Sequence, residues 1–451
     1  MHISDFLVYI IWLHTKNVLS YNSDEGIFLF WRENQLDKFV IRGGKKLCGE
    51  VDAELSKNAF LPIIAGCVLS EEEVVLRDCP HYTDIDAMLN VLKKLGAHIV
   101  WLGNDLKIRC EKLDFCYISS ELTKMIRSSI FLLGALLGRM KKAKMAYPGG
   151  CEIGLRPIDM HLKAFKELGV FVEEKHGYIF CDATNYCSKT IYLDYPSVGV
   201  TENVMMCAVL NEGQTIIHNA AKEPEIEDLQ NFLNSMGACV SGAGTDRIVI
   251  TGVESLRGAV YRPIPDRIFC GTLLCACAIT GGEVVLNCCE PKHFLSIIDK
   301  LLKSSCKIEL NNDKIYLSSD GHLSSFLEIE TGPYPCFPTD MQTQMLAVST
   351  VCSGVTKITE NVFESRFKVV PELNKMGANI GVYGKTAYVL GVDNLYGATV
   401  YAKDLRGAAS LVVAGLRAEG YTTIEDVWHL DRGYASFEKV LQKLGADVQR
   451  I

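Results

Sequence analysis

Ten residues, Pro148-Gly-Gly-Cys-Glu-Ile-Gly-Leu-Arg-Pro157, carry three glycines and two prolines and present one thiol, Cys151, and one guanidinium, Arg156. Such a composition suits a loop that moves and closes. A free thiol has a reference pKa of about 8.5, so at neutral pH it is mostly protonated and can donate a proton. A nearby guanidinium would lower that pKa and favour a nucleophilic thiolate, so both roles are open to Cys151. Arg156 also has the planar fork that pairs with two oxygens of a phosphate. Further cations and carboxylates stand at the junctions between elements. Ser56-Lys57-Asn58-Ala59 precedes an apolar helix, where the Lys57 ammonium and the free helix amides could face one anion, although an ordinary N-terminal cap accounts for the segment as well. Lys124 and Arg127 lie one turn apart before another apolar helix. At a helix start the dipole gives Arg127 no stabilisation and a bound anion would, with solvated surface charge as the alternative. Asp340, in Pro335-Cys-Phe-Pro-Thr-Asp340, reads as the N-cap of a helix beginning at Gln342. Asp404-Leu-Arg406-Gly407 and Asp431-Arg432-Gly433 each set an Asp and an Arg at an expected helix start, in equivalent places of neighbouring repeats. Local ion pairs would explain each alone; their repetition suggests cations aimed at one cleft.

Two lookalikes lead elsewhere. Gly242-Ala-Gly-Thr-Asp-Arg247 lacks the third glycine of a dinucleotide loop and runs into the strand Ile248-Val-Ile, so it reads as a hairpin turn. None of the ten histidines forms a metal-binding pair, and only His161 lies near the proposed loop. No metal or other cofactor is expected. The formal net charge of −8 argues against a nucleic-acid surface, so an anionic ligand must meet locally placed Lys and Arg. Eighteen cysteines with no C-x-x-C spacing, set singly in apolar stretches, read as buried thiols of a reducing compartment, with Cys275, Cys277, Cys288 and Cys289 as core or strand residues. The run Phe6–Leu13 is too short to span a membrane and lacks a cleavage signal. Residues 1–36 therefore read as an appendage of unknown role, and the protein as cytoplasmic, with no membrane partner.

The elements that must position these groups recur. An apolar helix face, then Leu or Met, Gly, a small residue and an alternating strand, appears as Leu92-Lys-Lys-Leu-Gly-Ala-His-Ile99, Phe165-Lys-Glu-Leu-Gly-Val-Phe-Val172, Leu233-Asn-Ser-Met-Gly-Ala-Cys-Val240, Leu373-Asn-Lys-Met-Gly-Ala-Asn-Ile380 and Leu441-Gln-Lys-Leu-Gly-Ala-Asp-Val448. Leu301-Leu-Lys-Ser-Ser-Cys-Lys-Ile308 is a worn sixth copy. From Gly96 through Gly169, Gly237, Ser305 and Gly377 to Gly445 the spacings are 73, 68, 68, 72 and 68 residues. A near-constant period of this size marks a repeated supersecondary unit. Each marker glycine suits a helix C-cap, and strands such as Glu73–Arg77, Thr215–His218 and Glu283–Leu286 alternate with period two before each helix. The expectation is an α/β chain of six units in two groups of three.

Over residues 38–451 the chain resembles the UDP-N-acetylglucosamine 1-carboxyvinyltransferases of peptidoglycan synthesis. The resemblance rests on Ser56-Lys-Asn58, Met125-Ile-Arg-Ser-Ser129, the Pro148–Asp159 segment, Ser197-Val-Gly199, Glu223-Pro-Glu225, Phe337-Pro-Thr-Asp340, Glu364-Ser-Arg366, Asp404-Leu-Arg406 and Asp431-Arg-Gly433. It implies a two-domain inside-out α/β barrel of six βαβαββ units, three per domain, divided as residues 37–56 plus 266–451 and residues 57–265. It implies transfer of the enolpyruvyl group of phosphoenolpyruvate to the 3-hydroxyl of UDP-N-acetylglucosamine, with release of phosphate, by a monomer or weak oligomer. On that resemblance Lys57, Arg156 and Arg432 hold the phosphate and Asn58 orients the reacting groups. Cys151 is the thiol that protonates the methylene carbon and is alkylated by fosfomycin, and Asp340 is the base at the sugar hydroxyl. Arg156, Pro157, Ile158, Asp159 and Met160, with Ser197, Val198 and Gly199, line the uridine side, and Arg127 and Val362 make further nucleotide-sugar contacts; Arg366 and Arg406 belong to the matched motifs. The chain departs from the family pattern at Tyr195, where a lysine is common, at Phe269, where an acid is common, and at Asp52-Ala-Glu-Leu55, where a small glycine-bearing turn is usual. Tyr195, Phe269 and the N-terminal appendage motivate one alternative, a non-catalytic nucleotide-sugar-binding or regulatory paralogue; a shikimate-pathway transferase is a third reading, which shares the repeats but not the Pro-Gly-Gly-Cys loop.

Overall fold

A computed structural model of the chain describes residues 37–113, 117–148 and 158–451. Cys151, Arg156, Pro157 and the N-terminal appendage lie outside the described residues.

Among the described residues, six helices are buried around nearly their whole circumference. They are α1 (Lys57–Gly66), α2 (Phe131–Met140), α3 (Val198–Ala208), α4 (Arg267–Thr280), α5 (Gln342–Ser349) and α6 (Leu405–Arg417). Side-chain oxygens of Ser56, Ser197, Asp266 and Asp404 accept the first free amides of α1, α3, α4 and α6, which fixes where those helices begin. In one lobe α2 packs on both α1 and α3; in the other, α4, α5 and α6 pack on one another. Gly134 and Gly138 allow the close approach of α2 to α3, since a Cβ at Gly134 would stand 2.3 Å from the Asn203 carbonyl oxygen.

Outside these helices lie six four-stranded sheets with one shared topology. One edge strand pairs parallel to the next, which pairs antiparallel with a third, and the third antiparallel with a fourth. In one of them Val260–Tyr261, Glu73–Leu76, Asp105–Arg109 and His98–Leu102 stand in that order. Alternate residues such as Val74 and Leu76 point to the core, so each sheet is half buried, as its alternation requires. Helices inside and sheets outside make an inside-out α/β arrangement with three units per lobe. All six markers adopt left-handed backbone after their helices, from Gly169 (φ 81°) to Gly96 (φ 105°), and the worn copy keeps the geometry at Ser305 (φ 75°). The hairpin at Gly242–Arg247 forms as expected between Cys239–Ser241 and Arg247–Thr251.

The units are not strictly consecutive in the chain. The sixth sheet takes its third strand from the N-terminal end, Phe39–Arg42, between Tyr421–Glu425 and Asp447–Arg450, while Cys48–Asp52 completes the sheet of Glu283–Asn287. One core gathers residues from Leu55 to Leu256 and the other Phe39–Ala53 with Ile268–Val448. The chain crosses between them twice, side by side. Leu55 bridges Pro265, the Ser56 amide donates to the Ile264 carbonyl (2.9 Å), and the Asp266 amide donates to the Glu54 carbonyl (2.8 Å).

All sixteen described cysteines are free and eleven are buried, in keeping with thiols as packing residues. Cys288 is a correction: it is exposed and holds left-handed backbone in a turn (φ 55°), not a core or strand position. Among the described residues no helix is long and apolar enough to cross a membrane.

Candidate active site

Ser56 caps α1 with its hydroxyl, so Lys57 and Asn58 occupy the first helical turn rather than preceding it. There they face the other lobe. Lys57 is buried, and its ammonium meets Asp84 Oδ2 at 3.1 Å. Asp84 lies in the first turn of the helix Thr83–Lys94, and its other oxygen accepts Arg432 Nε from the opposite lobe at 2.9 Å. One carboxylate thus bridges two cations across the gap. Burial lowers the Lys57 pKa and Asp84 opposes that fall. For Asp84 burial acts upward, but the charges of Lys57 and Arg432 outweigh it and hold the carboxylate below its usual range. His429 stands beside this bridge; burial and the Arg432 charge push it down to about 4, so its imidazole is neutral.

A second carboxylate collects the remaining cations. Asp340 Oδ1 accepts Arg366 Nη2 at 2.5 Å, and Oδ2 accepts Arg406 Nη2 at 2.9 Å and, from the opposite lobe, Asn58 Nδ2 at 3.3 Å. Arg366 and Arg406 are almost wholly enclosed, 2% and 4% exposed. Burial acts to raise the Asp340 pKa, yet Arg406 and Arg366 hold it well below the carboxylate range. Supporting contacts fix each partner. Arg366 Nε reaches the Thr339 hydroxyl at 3.3 Å, and that hydroxyl donates to Glu360 at 2.9 Å. Glu360 also accepts the amides of Val362 (2.8 Å) and Phe363 (3.0 Å), which sets the loop bearing Val362. Arg406 Nη1 lies 3.4 Å from the Tyr434 hydroxyl, itself tied to Thr272 and through it to Gln344.

The third region lies wholly in the lobe of α1–α3. A cavity of about 690 Å³ is lined by Arg127, Tyr147, Pro148, Ile158 and Asp159, among others. Arg127 opens a short 3-10 turn leading into α2, and Asp159 opens the helix Asp159–Glu167. That helix, which also carries Met160, meets the start of α3 through His161. Gly199 stands against the His161 ring, and His161 Nδ1 pairs with Asn203 Nδ2 at 2.9 Å. Burial, aided by Arg127, lowers His161 to about 4. The start of α3, with Ser197, Val198 and Gly199, thus meets the helix of Met160 at His161. Tyr195 is partly exposed just before Ser197, where partial burial and the charges of Glu223 and Glu360 raise its phenol. Phe269 sits in the core with its ring against Tyr434 and Phe437, so an acid at this position would be buried among aromatics.

Lys57, Asn58, Asp340, Arg366, Arg406 and Arg432 are thus brought to one cleft. Two sequence expectations need correction. Asp340 caps no helix; it lies inside the 3-10 turn Thr339–Met341, and both its oxygens serve side chains. Asp431-Arg432 does not begin a helix, since Trp428–Asp431 ends there, and Asp431 pairs with Arg450 rather than Arg432. Asp404 does begin a helix but spends its carboxylate on the amides of Arg406 and Gly407, which frees the Arg406 guanidinium for Asp340. Sequence reasoning missed Asp84, Glu360 and His429. An acid in the first turn of a helix is so common that Asp84 stood out only once Lys57 and Arg432 were seen beside it. Cys151, Arg156 and Pro157 are outside the described residues, and among those described no acidic, His or Cys cluster could hold a metal.

Known proteins share this fold. The model of one family, EPSP synthase (3-phosphoshikimate 1-carboxyvinyltransferase), matches residues 41–441. A protein of Caldanaerobacter subterraneus subsp. tengcongensis named UDP-N-acetylglucosamine 1-carboxyvinyltransferase 2 is 48% identical over 416 residues, 92% of this chain and 100% of that protein. Its namesake from Carboxydothermus hydrogenoformans is 46% identical over 418 residues, with the same coverage of each chain. Among solved structures, the enolpyruvyl transferase NikO from Streptomyces tendae superposes with a TM-score of 0.83 at 24% identity over 92% of this chain and 99% of that one. EPSP synthase from Acinetobacter baumannii gives 0.71 at 18% over 92% and 100%. The two structures speak for the fold; the family match and the sequence relatives go further, and the chain belongs to the enolpyruvyl transferase family, with proteins named UDP-N-acetylglucosamine 1-carboxyvinyltransferase as its near relatives.

Proposed function

We propose that this protein transfers the enolpyruvyl group of phosphoenolpyruvate to the 3-hydroxyl of UDP-N-acetylglucosamine and releases phosphate, an early step of peptidoglycan synthesis carried out in the cytoplasm by a monomer or weak oligomer. The observation that carries the reading is the pair of carboxylates, Asp84 and Asp340, that gather Lys57, Arg432, Asn58, Arg366 and Arg406 from both lobes into one cleft. Lys57 and Arg432, with Arg156 on the family resemblance, receive the phosphate of phosphoenolpyruvate, while Asp84 keeps Lys57 charged. Cys151 delivers its proton to the methylene carbon, and the neighbouring carbon gains oxocarbenium character that the site's carboxylates stabilise. The sugar oxygen bonds to that carbon and gives its proton to Asp340. A carboxylate held so low is a weak base, which suffices because the hydroxyl becomes strongly acidic as it bonds to a cationic carbon. The tetrahedral adduct then loses a methyl proton and its phosphate, and the double bond is restored.

The nucleotide portion is assigned to Arg127, Ile158, Asp159, Met160, Ser197, Val198, Gly199 and Val362 and, on the family resemblance alone, to Pro157. The lobes so divided, residues 37–56 with 266–451 and residues 57–265, would close on the substrates and exclude water. The test is phosphate release from phosphoenolpyruvate by the purified protein. Release that depends on UDP-N-acetylglucosamine supports the reading, and none at saturating substrates refutes it.

A further inference from the structure

Glu54 stands at the first crossing between the lobes. A single oxygen of its carboxylate takes two donors. The Tyr82 hydroxyl donates to Oε2 at 2.7 Å, and the backbone amide of Ala435 donates to the same atom at 3.3 Å. Tyr82 is fully buried and is the N-cap position of the helix whose first turn carries Asp84. Ala435 follows Arg432 by three residues in the opposite lobe. Glu54 therefore joins, through one atom, the two elements that supply Asp84 and Arg432, the partners whose contact spans the lobes at 2.9 Å. Its own backbone is held by the second crossing, through the Asp266 amide.

We propose that Glu54 is a positioning residue that ties the Asp84 helix to the Arg432 loop and so sets the spacing of Lys57 and Arg432 for an anion; the proposal rests on the reading of that site as a phosphate site. The ionisable groups facing Glu54 are Tyr82 from the Asp84 helix and Asp266 from the second crossing, and no cation is among its principal influences. Tyr434 lies next to Tyr82, and Arg406 next to Asp266, one layer further out. Burial raises the Glu54 carboxyl to about 7 against the two hydrogen bonds, so its charge changes in the physiological range. An ionised acceptor holds both donors more strongly than a neutral one, so the tie tightens as pH rises through that value.

The experiment compares wild type, Glu54→Gln and Glu54→Ala by calorimetry with inorganic phosphate and with phosphoenolpyruvate at pH 6 and pH 8, with turnover and melting temperature measured alongside. Gln keeps an acceptor for both donors but cannot ionise. Glu54→Gln is expected to match wild type at pH 6 and to bind about tenfold more weakly at pH 8, and Glu54→Ala to bind about tenfold more weakly at both. A Gln-to-wild-type ratio that stays flat with pH, or an Ala variant that melts lower yet binds normally, overturns the proposal. A wild type that binds phosphate but shows no turnover refutes the transferase reading while the binding ratios still decide the role of Glu54. A wild type that binds neither ligand overturns both.

Discussion

Replacing Asp84 by alanine isolates the ion bridge between the lobes. Lys57 and Asp84 are both nearly enclosed, with side chains 10% and 5% exposed, and Arg432 is the third member. Removing one partner of a buried pair leaves an uncompensated charge and costs about 3–5 kcal/mol. Arg432, one-third exposed, recovers part of its solvation, so the lower end, about 3 kcal/mol, is expected. For a lobe of roughly 200 residues, at about 2–4 °C per kcal/mol, that is a fall in melting temperature on the order of 10 °C. Asp84 is also the main influence holding the Lys57 proton against burial, so its loss lowers the Lys57 pKa further. The affinity for phosphoenolpyruvate should then weaken and decline at a lower pH than in wild type. Asp84→Asn, which keeps the shape and one acceptor, should fall between. The assay is thermal denaturation with KM for phosphoenolpyruvate measured from pH 6 to 9. A melting temperature unchanged within 2 °C together with an unchanged KM profile would refute the bridge as the element that holds Lys57 in place.

Three further outcomes follow from other parts of the molecule. Cys151→Ser should abolish covalent labelling by fosfomycin, read by mass spectrometry, and slow turnover by about a hundredfold or more, as loss of a proton donor does; an unimpaired variant removes Cys151 from the mechanism. Gly134→Ala places a methyl 2.3 Å from the Asn203 carbonyl oxygen, so chemical denaturation should show a loss of about 1–3 kcal/mol, and a neutral result would mean that α2 and α3 can separate freely. Glu54 has its pKa raised from 4.5 to about 7, so its contribution to stability is complete below pH 4.5 and is lost as pH rises through 7, by roughly 3 kcal/mol. Denaturation at pH 5 and pH 8 should show a smaller decline in Glu54→Gln than in wild type, and equal declines would contradict the burial of that charge.

The repeats were legible because each ends in the same forced geometry. A left-handed residue after a helix favours glycine, and the period of those glycines marks the units even where Ser305 has taken the position. What the linear order concealed was the swap of strands. Phe39–Arg42 completes a sheet whose other strands lie beyond residue 398, because pairing across the core depends on register and not on distance along the chain. At the site, Lys57 and Asn58 could be read from a serine cap and a polar pair before an apolar helix. Asp340 was misread as a cap because a carboxylate before a helix serves amides more often than guanidinium groups; Arg366 and Arg406, which claim it, arrive from 26 and 66 residues away. The same remoteness hid Asp84, whose two cations come from 27 residues before it and 348 after. Local pattern identifies what an element is, while the partners of a buried charge are a property of the assembled lobes.

Enolpyruvyl transfer to a nucleotide sugar is read from phosphate release from phosphoenolpyruvate with the acceptor varied. Release is expected with UDP-N-acetylglucosamine and none with 3-phosphoshikimate; release with 3-phosphoshikimate alone, or with neither acceptor, would overturn the assignment.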